Sequence, residues 1–556
     1  MHRGHAKQRP QSSICTQLHV NRTDMDRRIL RKATVIGVVV FFVFGILAFH
    51  HRNVFTEDKN HSDTSDPKPG TQKSWLRDGK NRERDLTADK ECSRQQHMLP
   101  PEEALQRMSL ESVAEVYHRY MNNLQKICPR KPIYGGMNAG WQICATSPKK
   151  PSMKVYFIST TKDEVIAAKF LKEIAVDTGA STVEVSSRLV LKAMAETETL
   201  SEETRPVRDM IEEPLIDILL VHAGNEAANI VHWLDTKSVL MNVDQLMVKF
   251  EGVGQKASKE DYIRQITLLA RLHDNGFRIF HYTRDPTGGC IYKLNGRDVT
   301  GCYKVYMMRC KNTQPPIALP PPQELKDISN TNAALLYHSY SLSTEVLCKD
   351  VVRVGDIDDG GWEVCNDTNY RPSSNCLVYS FGIARDWTFD EEVSRIYGCE
   401  VHSFDPSIGL KDHKHSEKVW FHNMGLSNKD GTRGTWKMKT LDSIREMLGH
   451  QNRVLDFVKM DIEESEWGAL TQMIKTGVLF NNVKQLGVEF HTPNVNPGKQ
   501  YIFPLTTLHS LHNNGFSLYW AHPNQAKGNQ RRLAGTNIDV TVCYELYYLN
   551  TKYGNS

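Results

Sequence analysis

Leu377–Phe381, LVYSF, is an apolar, partly β-branched run that stops at Gly382, the pattern of a buried strand. Beyond it, Thr388-Phe-Asp-Glu391 has the spacing of a capping box, and Phe389, Val393, Ile396 and Tyr397 recur at helical spacing. A helix is therefore expected from Thr388, closed by Gly398. CEVHSF reads as a second strand ending on Asp405 and Pro406. Further on, a short strand from Asp456 ends in Asp461-Ile-Glu463 and is followed by a helix. Lys484–His491, KQLGVEFH, alternates Leu486, Val488 and Phe490 inward and ends with Glu489 and His491. Asn514-Gly515 stops a helix, after which Phe516–Trp520 and Asp539–Tyr548 read as strands. Much earlier, an amphipathic helix is expected from Glu102, carrying Leu105, Met108, Val113, Val116 and Tyr117.

The same order of blocks occurs twice. Tyr117-His-Arg-Tyr120, Cys128, Gly140-Trp141 and Cys144 are echoed by Tyr337-His-Ser-Tyr340, Cys348, Gly361-Trp362 and Cys365. KVYFIS (154–159) matches LVYSFG, and the strand-to-helix block from Asp217 matches the one from Asp456. QLMVKFEG (245–252) matches QLGVEFHT, LLARLHDNGF matches TLHSLHNNGF, and Cys302–Tyr306 matches Cys543–Tyr547. A duplicated domain joined by the proline-rich stretch TQPPIALPPP follows. The polar residues at the strand ends do not persist. Gly382 is met by Ser159, Asp405 by about Ser186, Asp461 by His222, Glu463 by Gly224 and Glu489 by Lys249. The first copy keeps what packs and loses what would bind a ligand, so it reads as non-catalytic. Slippage of the alignment around Ser186 is the alternative.

Strand, glycine turn, helix, strand and acid form the first half of a nucleotide-binding crossover, in which an acid roughly 20 residues past the glycine meets ribose hydroxyls. Gly382 and Asp405 stand at about that distance, although the full glycine fingerprint is missing. An ordinary crossover with an acid in a turn would look the same.

Asp359-Gly-Gly-Trp-Glu-Val-Cys365, VYSFGIARDWTFDEEV, CEVHSFDPS, Lys439-Thr-Leu-Asp442 and VKMDIE, in this order, resemble FkbM-type class I methyltransferases, and within them the lumenal methyltransferase-like protein 24 family. The resemblance covers roughly residues 335–549. It implies an α/β fold of two tandem Rossmann-like class I methyltransferase domains, each sheet ending in an antiparallel pair. It also implies S-adenosylmethionine as cofactor, with Gly382, Ile383, Ala384 and Asp405 as donor-binding positions. Asp461, at its strand end, would face the methyl group, with Glu463, Glu489 and His491 around it and Asp461, Glu463 and His491 as the catalytic set. A carboxylate or His491 would take the acceptor's proton. The plainer reading is that Asp461 or Glu463 caps the next helix and Glu466 pairs on its surface. Trp387 and Trp467 are read as core, and Leu441-Asp442 as a helix start. No metal is expected.

The chain of 556 residues, 40% hydrophobic and 24% charged, affords several cores. A net charge of +4 and the lack of a basic stripe interleaved with aromatics argue against nucleic acid as a partner. Ala33–Phe49 is an uncharged apolar run preceded by Arg22, Arg27, Arg28, Arg31 and Lys32. It predicts a signal anchor with a cytosolic N-terminus, that is, a single-pass type II protein of the Golgi or another secretory-pathway membrane. A cleaved signal peptide is the alternative. The expected layout is tail 1–32, anchor 33–49, disordered stem 50–101, degenerate domain 102–312, linker 313–330 and methyltransferase domain 331–556.

Of twelve cysteines, Cys15 would be cytosolic, leaving an odd lumenal number and at least one that is free or paired between chains. Cys128 with Cys144, and Cys348 with Cys365, are expected as disulfides rather than zinc ligands. Asn60 and Asn366 are glycosylation acceptors in this topology, whereas Asn21 lies on the wrong side. The expected activity is O-methyl transfer to a glycan or small molecule. Asp356-Ile-Asp358 keeps a metal-dependent type II glycosyltransferase as an alternative, and a catalytically inactive binding or scaffold protein is another.

Overall fold

The computed structural model describes Leu99 to Gly554, apart from residue 138, 146–151, 197–199, 287–288, 311–315, 464, 493–498 and 525–526. The anchor at 33–49, the expected stem up to residue 98 and residues 313–315 of the proline-rich stretch lie outside the described residues. Among the described residues no helix is long and apolar enough to cross a membrane.

Two sheets organise the chain. The first holds β1 (Lys154–Ser159), β2 (Ser181–Ser186), β3 (Ile216–His222), β4 (Val243–Phe250), β5 (Phe277–Arg284) and β6 (Tyr303–Arg309), in the order β2-β1-β3-β4-β6-β5. The second holds β7 (Leu377–Phe381), β8 (Glu400–Phe404), β9 (His413–Ser416), β10 (Val419–His422), β11 (Leu455–Met460), β12 (Val483–His491), β13 (Phe516–Pro523) and β14 (Cys543–Asn550). Its order is β9-β10-β8-β7-β11-β12-β14-β13. In the first, β2, β1, β3 and β4 are parallel; in the second, β10, β8, β7, β11 and β12 are; in both, the last two pairings are antiparallel. The strands β3, β7 and β11 are buried throughout, as parallel strands covered on both faces require.

Register aligns the two sheets residue by residue. Ser159 pairs with Ser186 and His222. Phe381 pairs with Phe404 and Met460, so the next step places Gly382 beside Asp405 and Asp461. Ser186 therefore stands where Asp405 stands, and no slippage is needed.

The repeated polar motifs are scaffold. His118 sits between the hydroxyls of Tyr303 and Tyr292, and His338 between those of Tyr544 and Tyr501. Burial pushes both imidazoles down to about 3, so they stay neutral packing groups. Gln245 bonds the N–H and C=O of Cys144, and Gln485 does the same for Cys365. Disulfides join Cys128–Cys144 and Cys348–Cys365, with two more at Cys290–Cys302 and Cys376–Cys399. Cys310 and Cys543 are disulfide-bonded as well, and no described cysteine is free, so the expected odd thiol is not among the described residues.

Three local expectations change. Thr388 is the first residue of its helix, not its cap; Asp386 Oδ1 accepts the Thr388 N–H at 2.9 Å and does the capping work. The helix from Glu102 breaks after Arg107 and restarts at Leu110, because Ser109 caps the second segment. Asp539–Tyr548 is two strands, Asp539–Thr541 and β14. Part of the expected linker also packs: Ile317, Leu325 and Ile328 are buried in the core of the second sheet.

Candidate active site

Strand order reverses direction at β7, which has β8 on one side and β11 on the other. In an open parallel sheet this switch point leaves a crevice beyond the carboxyl ends of the strands. Gly382, Asp405 and Asp461 directly follow those three strands. They are laced together: Gly382 N donates to Phe404 O at 2.9 Å, and Asp461 N to Phe381 O at 3.1 Å. Gly382 has φ +73°, and a Cβ there would lie 1.6 Å from Asp461 O. Only glycine lets the two loops approach this closely.

The turn continues in left-handed backbone through Ala384 (φ 46°) and Arg385 (φ 70°). Ala384 N donates to Asp405 Oδ2 at 2.9 Å, while Asp405 Oδ1 accepts from Ser407 N (2.8 Å) and Ser407 Oγ (2.6 Å). Asp405 is buried, so its first duty is to hold the glycine loop, and a ribose contact would use its remaining lone pairs. Ile383 turns its side chain into the protein, leaving only its backbone for a ligand, whereas Ala384 is exposed.

A second group gathers beside this crevice. His491 Nδ1 lies 3.0 Å from Glu466 Oε1, and His491 Nε2 lies 3.4 Å from Glu463 Oε2. Glu466 does not pair on the helix surface. It is wholly buried, and its Oε1 also accepts the Ile462 N–H at 3.0 Å. Trp467 supports the imidazole from behind, donating Nε1 to His491 O at 3.1 Å and packing on Phe490. Glu489 stands opposite Glu545 across β12 and β14 and takes a bond from Asn524 at 3.2 Å.

Electrostatics divide these groups. Burial, helped by Glu466 and Asp359 against Lys459 and His491, pushes Asp461 up to about 6. Burial and the neighbouring Asp461 push Glu489 well above the usual carboxyl range, so it keeps its proton. Burial alone would discharge His491, but Glu466, Glu489 and Asp461 outweigh it and lift the imidazole well above its ordinary value. Asp461 is thus the side chain poised to exchange a proton near neutrality. Lys459, from the same strand, is committed to Gly382 O at 2.9 Å.

The sequence placed Gly382, Ile383, Ala384 and Asp405 in one loop pair, and Asp461, Glu463 and His491 in one cluster. It missed Glu466 as the partner of His491, because helical spacing shows a face but not what covers it. Asp356 and Asp358 form a self-contained turn. Asp356 Oδ1 accepts the Asp358 N–H at 3.1 Å, and Arg353 binds both backbone carbonyls.

Comparison with known proteins agrees with the second sheet. Two curated proteins, both called probable methyltransferase-like protein 24, are similar to this chain. The human one is 28% identical over 209 residues, 34% of this chain and 56% of its own length. The rat one is 26% identical over 237 residues, 39% of this chain and 64% of its own length. The match thus spans only about half to two thirds of these relatives. Among solved structures, phosphoethanolamine N-methyltransferase 2 of Haemonchus contortus in complex with S-adenosyl-L-methionine is similar at 10% identity and a TM-score of 0.19, covering 75% of this chain and 85% of that one. A second structure of that enzyme, with S-adenosylhomocysteine, gives 8% identity and the same TM-score of 0.19, covering 79% of this chain and 98% of that one. Residues 301–534, which carry the glycine loop, Asp405 and the Asp461 cluster, match the family model described as a methyltransferase domain.

Proposed function

We propose that residues 331–556 bind S-adenosylmethionine and transfer its methyl group to a hydroxyl, and that residues 102–312 are a tandem, non-catalytic copy of the same domain. The observation that carries this reading is the lacing of Gly382, Asp405 and Asp461 at the switch point of the second sheet. Methyl transfer from a sulfonium needs no covalent catalysis. It needs donor and acceptor held close and in line, which a rigid crevice supplies. Backbone around Gly382–Ala384 would approach the donor, and Asp461 would take the acceptor's proton with Glu463 and His491 beside it.

The wider setting belongs to the same proposal: a type II membrane protein anchored by residues 33–49, with its bulk in the lumen of the Golgi or another secretory compartment. The disulfides Cys128–Cys144, Cys290–Cys302, Cys348–Cys365 and Cys376–Cys399 favour an oxidising space. A glycan or a secreted small molecule would be the acceptor.

Calorimetric titration of the purified chain with S-adenosylmethionine, in chelator, tests the reading. One donor should bind per chain, and Asp461→Asn should leave that binding within threefold. Failure of the donor to bind, with binding of a sugar nucleotide instead, would replace it with the glycosyltransferase alternative.

A further inference from the structure

The proton count around His491 leaves a gap. Glu466 Oε1 sits 3.0 Å from His491 Nδ1, and a carboxylate there holds the imidazole with its proton on Nδ1. Without a second proton on the ring, Nε2 then presents a lone pair. Glu463 Oε2 stands 3.4 Å from it, itself an acceptor, and Nε2 makes no hydrogen bond although His491 is only 7% exposed. Two acceptors facing each other at this distance require a cation between them, either a second proton on the ring or a metal ion.

Asp461 completes the set, for one ligand atom each from Asp461, Glu463 and His491 lies within 4.8 Å of the others. Two ligands at about 2.1 Å from one ion stand roughly 3 to 3.5 Å apart, so the histidine–glutamate spacing already fits, and Asp461 is the third group beside it. The Glu466–His491 bond is the outer carboxylate that metal-bound histidines usually have.

The first sheet sharpens the point. At the matching positions it has His222, Gly224 and Glu251, and Lys249 bonds Glu251 at 2.6 Å. Its carboxylate carries a built-in cation. In the second sheet the lysine position is Glu489, and Glu463 holds φ 53°, a left-handed backbone for which the first sheet uses Gly224. A side chain has been kept there at a conformational cost.

We propose that Asp461, Glu463 and His491 bind one divalent cation of the manganese or zinc class, whose oxygen- and imidazole-rich donor set they match. The other clusters of metal-ligand type among the described residues are spent. Glu400 is paired with Arg453 and His402, and the cysteines near Asp367 and Glu489 are in disulfides. The proposal does not depend on methyl transfer.

Equilibrium dialysis of the untagged full chain against Mn2+, with electron paramagnetic resonance to count free ion, tests it. About one Mn2+ should bind per chain, Zn2+ should displace it, and Asp461→Asn, His491→Gln and Glu463→Gly should each weaken it at least tenfold. Glu463→Gly guards against misfolding, since glycine suits that backbone. Glu400→Gln should change nothing. Absence of saturable Mn2+ or Zn2+ binding, an unchanged affinity in the three variants, or loss of binding in Glu400→Gln would overturn it. S-adenosylmethionine titration of the same sample separates the two proposals: a chain that binds donor but no Mn2+ or Zn2+ defeats only this one, and a chain that binds metal but no donor defeats only the methyltransferase reading.

Discussion

The carboxyl ends of the two sheets carry basic and acidic residues at matching places. Across the antiparallel pair, Lys249 faces Lys304 in the first sheet, and Glu489 faces Glu545 in the second. His222 stands for Asp461, Ser186 for Asp405 and Ser159 for Gly382. Deeper polar groups did not diverge: Asp217 and Asp456 each take the first N–H of the neighbouring strand, at 2.8 and 3.0 Å, and Gln245 and Gln485 hold equivalent cysteines. Groups that satisfy buried backbone are costly to lose in either half, whereas groups at the crevice answer only to a ligand. The first sheet has closed its crevice chemistry with ion pairs, Lys249 to Glu251 and Asp285. The second has acids and a histidine at those places instead.

The comparison breaks most severely at Gly382. Gly382→Ser installs the first sheet's residue, but its Cβ would meet Asp461 O at 1.6 Å from a backbone at φ +73°. A loss of about 4 kcal/mol or more in chemical denaturation, with donor binding abolished, is expected. Ser159→Gly, the reverse exchange, should cost no more than about 1 kcal/mol. Equal effects would mean that the two loops are not held differently.

The next largest effect concerns the contact between the halves. Glu363 is buried with Arg284 of the first half (Nη2 at 3.2 Å) and Arg353 of the second (3.1 Å), and both arginines hold it in its ionised state despite burial. Glu363→Gln would strand two buried guanidinium groups and should cost about 3 kcal/mol. The variant should also let the halves melt separately in calorimetry; a single unshifted transition would show that Trp520 stacked on Tyr282 suffices.

The smallest effect has a pH signature. Asp390 is fully buried beside Ser403 (2.5 Å), and burial pushes its carboxyl up to about 6, against the pull of Lys459. The folded protein therefore binds this proton more tightly than the unfolded chain, whose carboxyl titrates near about 3.9. Stability contributed by the protonated form is present below about pH 4 and is lost as pH rises through about 6. Asp390→Asn should accordingly be more stable than the parent by about 2 kcal/mol near pH 8, with the difference shrinking toward pH 4. A gap independent of pH would assign the effect to packing.

By itself the sequence determined most strands of the two sheets, the recurring blocks, the two framework disulfides and the loops that carry Gly382, Asp405, Asp461 and His491. These are local or pairwise patterns: alternation, a glycine where a strand stops, blocks recurring in one order. Tertiary structure alone decided what surrounds each polar group. Asp405 binds its own loop, Glu466 is buried against His491 rather than exposed on its helix, and Asp386 rather than Thr388 caps its helix. Cys376 finds Cys399 only because β7 and β8 lie side by side. Hydrophobic periodicity records which face is covered, but the partner of a buried charge comes from a distant element, and only the packed sheet brings the two together.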